Sequence, residues 1–104
     1  MTIHSIQVPD DALDVLCRKW KIRRLEIFGS ALRGALGPDS DVDLLAEFDP
    51  DEKWSLMDMV GAEEEFALLF GRRVDLVDKK NLERSDNWIR RNAILDSAEV
   101  IFNA

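Results

Sequence analysis

The sequence predicts an α+β fold of the mixed α/β kind, a short mixed β-sheet packed against helices. Three observations predict it. Apolar residues recur at helical spacing over 11–20 and again from Leu56 to Phe70. Three shorter runs, 24–28, 41–48 and 73–77, carry the apolar pattern of strands. Gly, Pro, Asp and Ser punctuate the stretches between them. At 104 residues, 1–104 is expected to be one domain, with length for a single hydrophobic core and no room for a second, acceptor-binding unit.

Each element has a local cause. Residues 1–10 mix polar and apolar types and read as a loose lead-in that contains His4. Pro9 and Asp10 stand before the first helix, about 11–20, where Asp11 and Asp14 suit an N-cap and Leu13, Leu16, Cys17 and Trp20 form the apolar stripe. The strand at 24–28 puts Leu25 and Ile27 on one face and ends at a Gly29-Ser30 turn. Ser30 to Leu36 suits a short helix, and Gly37 to Ser40 a loop. Asp41 to Phe48 is the second strand. Ser55 and Asp58 form a variant capping box, Asp replacing the usual Glu, that opens a helix running to Phe70, with Gly71 as its stop. The third strand, 73–77, puts Val74 and Leu76 on one face and Asp75 on the other. Asn81 to about Leu95 reads as helix; Glu99 to Phe102 reads either as a small edge strand or as the end of that helix.

Composition removes several function classes. A net charge of −7 disfavours direct nucleic-acid binding through a basic surface. No apolar run approaches membrane-spanning length and no signal-peptide pattern opens the chain, so a cytoplasmic protein with no membrane partner is expected. One cysteine and one histidine leave no His/Cys zinc set and no Ser-His-Asp or Cys-His nucleophile. Cys17, within a helical apolar pattern, reads as a buried, reduced, structural thiol. Glu63 to Glu65 read as a solvated helix face, with a partner-docking patch as the alternative. Arg72 and Arg73 complement the dipole of the helix they follow. Trp88 beside Arg90 and Arg91 reads as a packing anchor or as part of a basic partner surface.

The stretch from Gly29 to Leu45 carries the chemistry. Ten residues separate the Gly29-Ser30 turn from Asp41, and Asp41 and Asp43 flank one apolar residue. A strand repeats its facing every two residues, so both carboxylates point to one side while Val42 and Leu44 anchor the other. Such a pair makes the hard-oxygen clamp that Mg²⁺ takes when it also carries phosphates. If the third strand lies beside the second, Asp75 completes a set of three carboxylates that repel unless a cation neutralises them. Two divalent ions about 3.5–4 Å apart would then flank an in-line phosphoryl displacement, with Asp75 accepting the proton of the incoming hydroxyl. Gly29 permits close backbone approach, the Ser30 hydroxyl suits a terminal phosphate, and Arg33 offers a fork of donors to a triphosphate.

With its GS turn, its DxD and a later in-strand Asp in RRVDLVD, the chain resembles a minimal nucleotidyltransferase of the DNA polymerase β superfamily. Arg33, Gly34 and Ser40 also match that motif; Ala31 and Leu32 depart from its commonest residues. The resemblance spans nearly the whole chain and implies a small nucleotidyltransferase fold. It implies Asp41, Asp43 and Asp75 as Mg²⁺ ligands and catalytic residues, and Gly29, Ser30 and Arg33 as contacts to ATP. Known minimal proteins of this type are similar to the antitoxin half of two-gene toxin-antitoxin pairs. The resemblance therefore implies a HEPN-type toxin partner encoded nearby, transfer of AMP from ATP to a tyrosine of that toxin, and a homo- or hetero-oligomer. Two alternatives stay open: neutralisation by binding without catalysis, and transfer to an antibiotic or other small alcohol.

Overall fold

A computed structural model describes residues 2–3, 6–29 and 41–104. In chain order the elements are β1 (Thr2–Ile3), β2 (Ile6–Gln7), α1 (Asp10–Lys19), β3 (Ile22–Phe28), β4 (Val42–Phe48), α2 (Leu56–Phe70), β5 (Val74–Asp78), α3 (Lys79–Glu83), α4 (Trp88–Ser97) and β6 (Glu99–Asn103). β1 and β2 form a small antiparallel pair, and the main sheet has the order β5-β4-β3-β6. β3 pairs antiparallel with both β4 and β6, whereas β4 and β5 run parallel. The sheet is therefore mixed, as the sequence predicts. None of the described helices is long and apolar enough to cross a membrane.

Side-chain alternation sorts each strand onto two faces. Leu25 and Ile27 of β3, Val42, Leu44 and Ala46 of β4 and Leu76 of β5 pack with Leu13 and Cys17 of α1 and Ala62, Phe66 and Phe70 of α2. The intervening residues Phe28 and Leu45 turn the other way and meet Leu82 of α3 and Ile94 of α4. Burial pushes the Cys17 thiol up to about 12, with the nearby Asp14 charge acting in the same direction, so it stays protonated and serves packing.

Local chemistry accounts for the helix ends. The Ser55 hydroxyl accepts the Asp58 N–H at 3.1 Å and the Asp58 carboxylate accepts the Ser55 N–H at 2.9 Å, closing the capping box. Gly71 ends α2 in the left-handed region at φ +71°. α1 starts at Asp10, one residue before the expected position. The Pro9 carbonyl accepts the first helical bond, from Leu13 N, and Pro9 itself supplies no side-chain cap.

Two expectations are corrected and one open alternative is decided. The first residues are not simply loose: Ile6 and Val8 are buried in the main core, and their alternation with Gln7 was the sign of it. The single helix expected over 81–95 is two, because Asn87 caps a new one by accepting the Arg90 N–H at 3.1 Å. Residues 99–103 form an edge strand along β3, which settles the open alternative for Glu99 to Phe102.

Candidate functional site

β3 ends at Phe28, whose register partner is Asp43 near the start of β4. The chain leaves β3 through Gly29 at φ +78°, in the region that side chains disfavour. A Cβ on Gly29 would lie 2.3 Å from Asp43 Oδ2 and 3.2 Å from its Cγ. The Asp43 carboxylate thus fills the space the missing side chain leaves. The sequence pattern suits this glycine to phosphate approach; in the structure it also makes room for the aspartate.

Across the parallel ladder, Asp43 is the register partner of Asp75, just as Leu45 is of Val77. Register partners share a face, and neighbouring strands lie about 4.8 Å apart, so the two carboxylates point into one region. The apolar residues on either side anchor the strands: Val42 pairs with Val74 and Leu44 with Leu76 on the opposite face, against α2.

Asp41 behaves differently. It precedes the first residue of β4, and its carboxylate takes an ion pair from Arg73 Nε at 3.3 Å. Val42 N donates to the Arg73 carbonyl at 2.9 Å, which brings the Arg73 side chain beside Asp41. Arg73 accordingly serves this pair and not the α2 dipole, since it lies beyond the last turn of that helix. Among the described residues no group of three or more His, Cys, Asp or Glu stands in a metal-holding arrangement. The structure brings Asp43 and Asp75 together and leaves Asp41 beside them, turned to Arg73. Ser30 and Arg33, with Ala31, Leu32, Gly34 and Ser40, lie outside the described residues, as does the short helix expected from Ser30 to Leu36.

An open hollow of about 380 Å³ borders this end of the sheet, lined in part by Asp41, Glu63, Arg73 and Asp75. A larger one, about 600 Å³, lies at the other end of β4 between Glu47, Trp54 and Lys79. The first is lined by Asp41 and Asp75 of the candidate set; the second is lined by none of them.

Several charged residues take roles the sequence did not disclose. Glu26 is buried on the same face as Asp43, with Arg24 Nη2 at 3.4 Å and Lys79 Nζ at 3.8 Å. Its alternation with Leu25 and Ile27 was visible, but the Lys79 partner, far along the chain, was not. The Glu63 to Glu65 run is not a uniform solvated face. Glu63 accepts the Leu76 N–H at 2.8 Å, Glu64 is exposed, and Glu65 pairs with Lys19 and accepts Trp20 Nε1 at 3.2 Å. The Lys19 contact, aided by Trp20, holds the Glu65 carboxyl below the usual range. Trp88 is 61% exposed, which removes the packing-anchor alternative for it.

The nucleotidyltransferase domain family matches residues 10–101. Over 68 residues the chain is 41% identical to protein adenylyltransferase MntA of Thermococcus cleftensis, covering 65% of this chain and 67% of that protein. A solved structure whose proposed identity is a minimal nucleotidyltransferase aligns with TM-score 0.66 and 30% identity over 86% of each chain. A crystal structure of a toxin-antitoxin pair with AMP-PNP aligns with TM-score 0.70 over 93% of this chain and 75% of that one; at 18% identity this is a likeness of fold. The family match begins with α1, runs through the paired aspartates and ends within β6, so the chain belongs to the nucleotidyltransferase domain family and is a nucleotidyltransferase.

Proposed function

We propose that this nucleotidyltransferase is a Mg²⁺-dependent protein adenylyltransferase that moves AMP from ATP onto a hydroxyl, best a tyrosine, of a HEPN-type toxin. It would act in the cytoplasm as the antitoxin of that toxin. The observation that carries the proposal is the register pairing of Asp43 with Asp75 beside Gly29. The similarity to a named protein adenylyltransferase supports the choice of a protein acceptor. These 104 residues contain no tyrosine, so a tyrosyl acceptor would lie outside them.

The donor set fits the implied ion. All the candidate ligands are carboxylate oxygens, which suit Mg²⁺ and not a soft metal, and Asp43 lies in a cradle that a Cβ would fill. Asp43 and Asp75 would hold it, joined by Asp41. The Arg73 pair does not lock Asp41 away, because exposed ion pairs contribute only about 0–1 kcal/mol. When bound, the ion neutralises phosphate charge and orients the triphosphate.

The chain's own groups do the rest. Gly29 leaves the backbone open to the triphosphate, while Ser30 and Arg33 offer it hydroxyl and guanidinium donors. Asp75, exposed on its strand, accepts the proton of the acceptor hydroxyl. The hydroxyl oxygen bonds to the α-phosphorus, the bond from that phosphorus to the bridging oxygen breaks, and pyrophosphate leaves with the electron pair.

The test is intact-mass analysis of the neighbouring gene product after incubation with this protein, Mg²⁺ and ATP. We expect mass gains in AMP-sized steps, reduced at least about a hundredfold in rate by Asp43→Asn. A stable complex with no gain would replace this proposal by neutralisation through binding. Transfer to small alcohols without any protein partner would replace it by the antibiotic-type alternative.

A further inference from the structure

Among the described residues β5 is an edge strand, paired on one side with β4 and open on the other. In the parallel ladder Val42 N donates to the Arg73 carbonyl. Alternate residues of β5, among them Asp75, therefore turn their peptide groups toward β4, and the residues between them, including Leu76, turn theirs toward the open edge. An N–H on an open edge is ordinarily left to water. Here the Leu76 N–H donates at 2.8 Å to Glu63 Oε2, which reaches over from α2.

Glu63 is well placed for this. It follows Ala62 and precedes Phe66, both fully buried in the main core, so its backbone is fixed by packing. A carboxylate accepting a main-chain N–H makes a charge-assisted bond, stronger than a neutral one. The Asp75–Leu76 segment is consequently fastened on both sides, to β4 by the ladder and to α2 by Glu63.

We propose that Glu63 is a positioning residue for Asp75: from α2 it fixes the edge backbone that presents the Asp75 carboxylate to Asp43. The proposal rests on the reading of Asp43 and Asp75 as the transfer site. Glu63 does not touch substrate; its carboxylate is committed to the Leu76 amide, and it acts through the spacing of the aspartate pair. A misplacement of reacting groups by a fraction of an ångström to an ångström lowers turnover by about ten- to a hundredfold.

The experiment uses Glu63→Ala and Glu63→Gln in the full chain, read by amide hydrogen exchange without ligand and by steady-state transfer to the partner with ATP. In Glu63→Ala we expect exchange at Leu76 to accelerate roughly tenfold or more while the amides of Leu44 and Phe66 keep their protection. We expect kcat to fall about tenfold with KM for ATP within about twofold, because Asp75 acts on the reacting hydroxyl more than on nucleotide binding. Glu63→Gln, whose amide oxygen still accepts the N–H, restores most of both. Unchanged exchange at Leu76, an unchanged kcat in Glu63→Ala, or a Gln variant no better than Ala each overturns the inference. If the wild-type protein itself transfers nothing, the transfer-site reading falls, and Leu76 exchange still decides whether Glu63 holds the edge.

Discussion

On the face of the sheet covered by α1 and α2, β4 contributes Val42, Leu44 and Ala46, all fully buried, and the neighbouring strands add Leu25, Ile27 and Leu76. On the face toward α3 and α4 the same strand contributes Asp43, Leu45 and Glu47, beside Glu26 and Asp75, and the apolar cluster there is small. One strand thus serves two environments at a period of two. The first face supplies apolar burial, at about 25 cal/mol per Å², and so can support a second face that sets like charges side by side. That division explains how a small domain holds two carboxylates in register on one face.

The contrast can be broken from either side. Phe66, fully buried among the α2 contacts, is the strongest test of the supporting face: Phe66→Ala is expected to cost about 3–5 kcal/mol in denaturant unfolding. Asp43→Asn is expected to lower transfer at least about a hundredfold while changing unfolding stability far less than Phe66→Ala, since Asp43 lies outside the apolar core. A large loss of stability in that variant would show that the carboxylate is a structural member of its face.

Gly29→Ala gives a smaller but sharper effect, because it touches the site without touching the core. A side chain in the left-handed region costs about 1–2 kcal/mol, and the new Cβ also meets the Asp43 carboxylate at 2.3 Å, so Asp43 must move. Stability and transfer should fall together. Retained transfer would mean that Asp43 can act from elsewhere.

The smallest effect lies far from both faces, at the start of α2. Ser55→Ala is expected to cost about 1 kcal/mol through loss of the cap. Hydrogen bonds from the Ser55 backbone and hydroxyl hold the Asp58 carboxyl below the usual carboxylate range. A depressed folded-state value stabilises the protein above the ordinary carboxylate pKa, near 3.9, and that contribution is lost as pH falls through the lower, folded value. Chemical denaturation at neutral and at acidic pH should therefore show the variant's deficit shrinking in acid. A deficit independent of pH would remove Asp58 from the cap.

Much of this was legible in the sequence because the relevant signals are local. Alternation around Asp41, Asp43 and Asp75 named the strands and their faces, Ser55 and Asp58 named a cap, and Gly71 a stop. What was not legible depended on partners distant along the chain. Arg73 reaches Asp41 through the strand pairing, Glu63 finds Leu76 across an edge, and Lys79 meets Glu26 only once β3, β4 and β5 have assembled. The sequence pattern offers all three carboxylates as metal ligands, with Asp75 also as the proton acceptor. Asp43 and Asp75 sit within regular strands, whereas Asp41 lies one residue outside the ladder, where alternation no longer governs its side chain.

The central claim, that the Asp43–Asp75 pair is the cation-binding transfer site, is tested most directly by titrating the protein with Mn²⁺ in place of Mg²⁺ and following paramagnetic broadening of backbone amide signals. Broadening that begins at Gly29, Asp43 and Asp75 and disappears in Asp43→Asn is the predicted result; broadening centred on Glu47 and Lys79 at the far end of β4, or unaffected by that substitution, would contradict it.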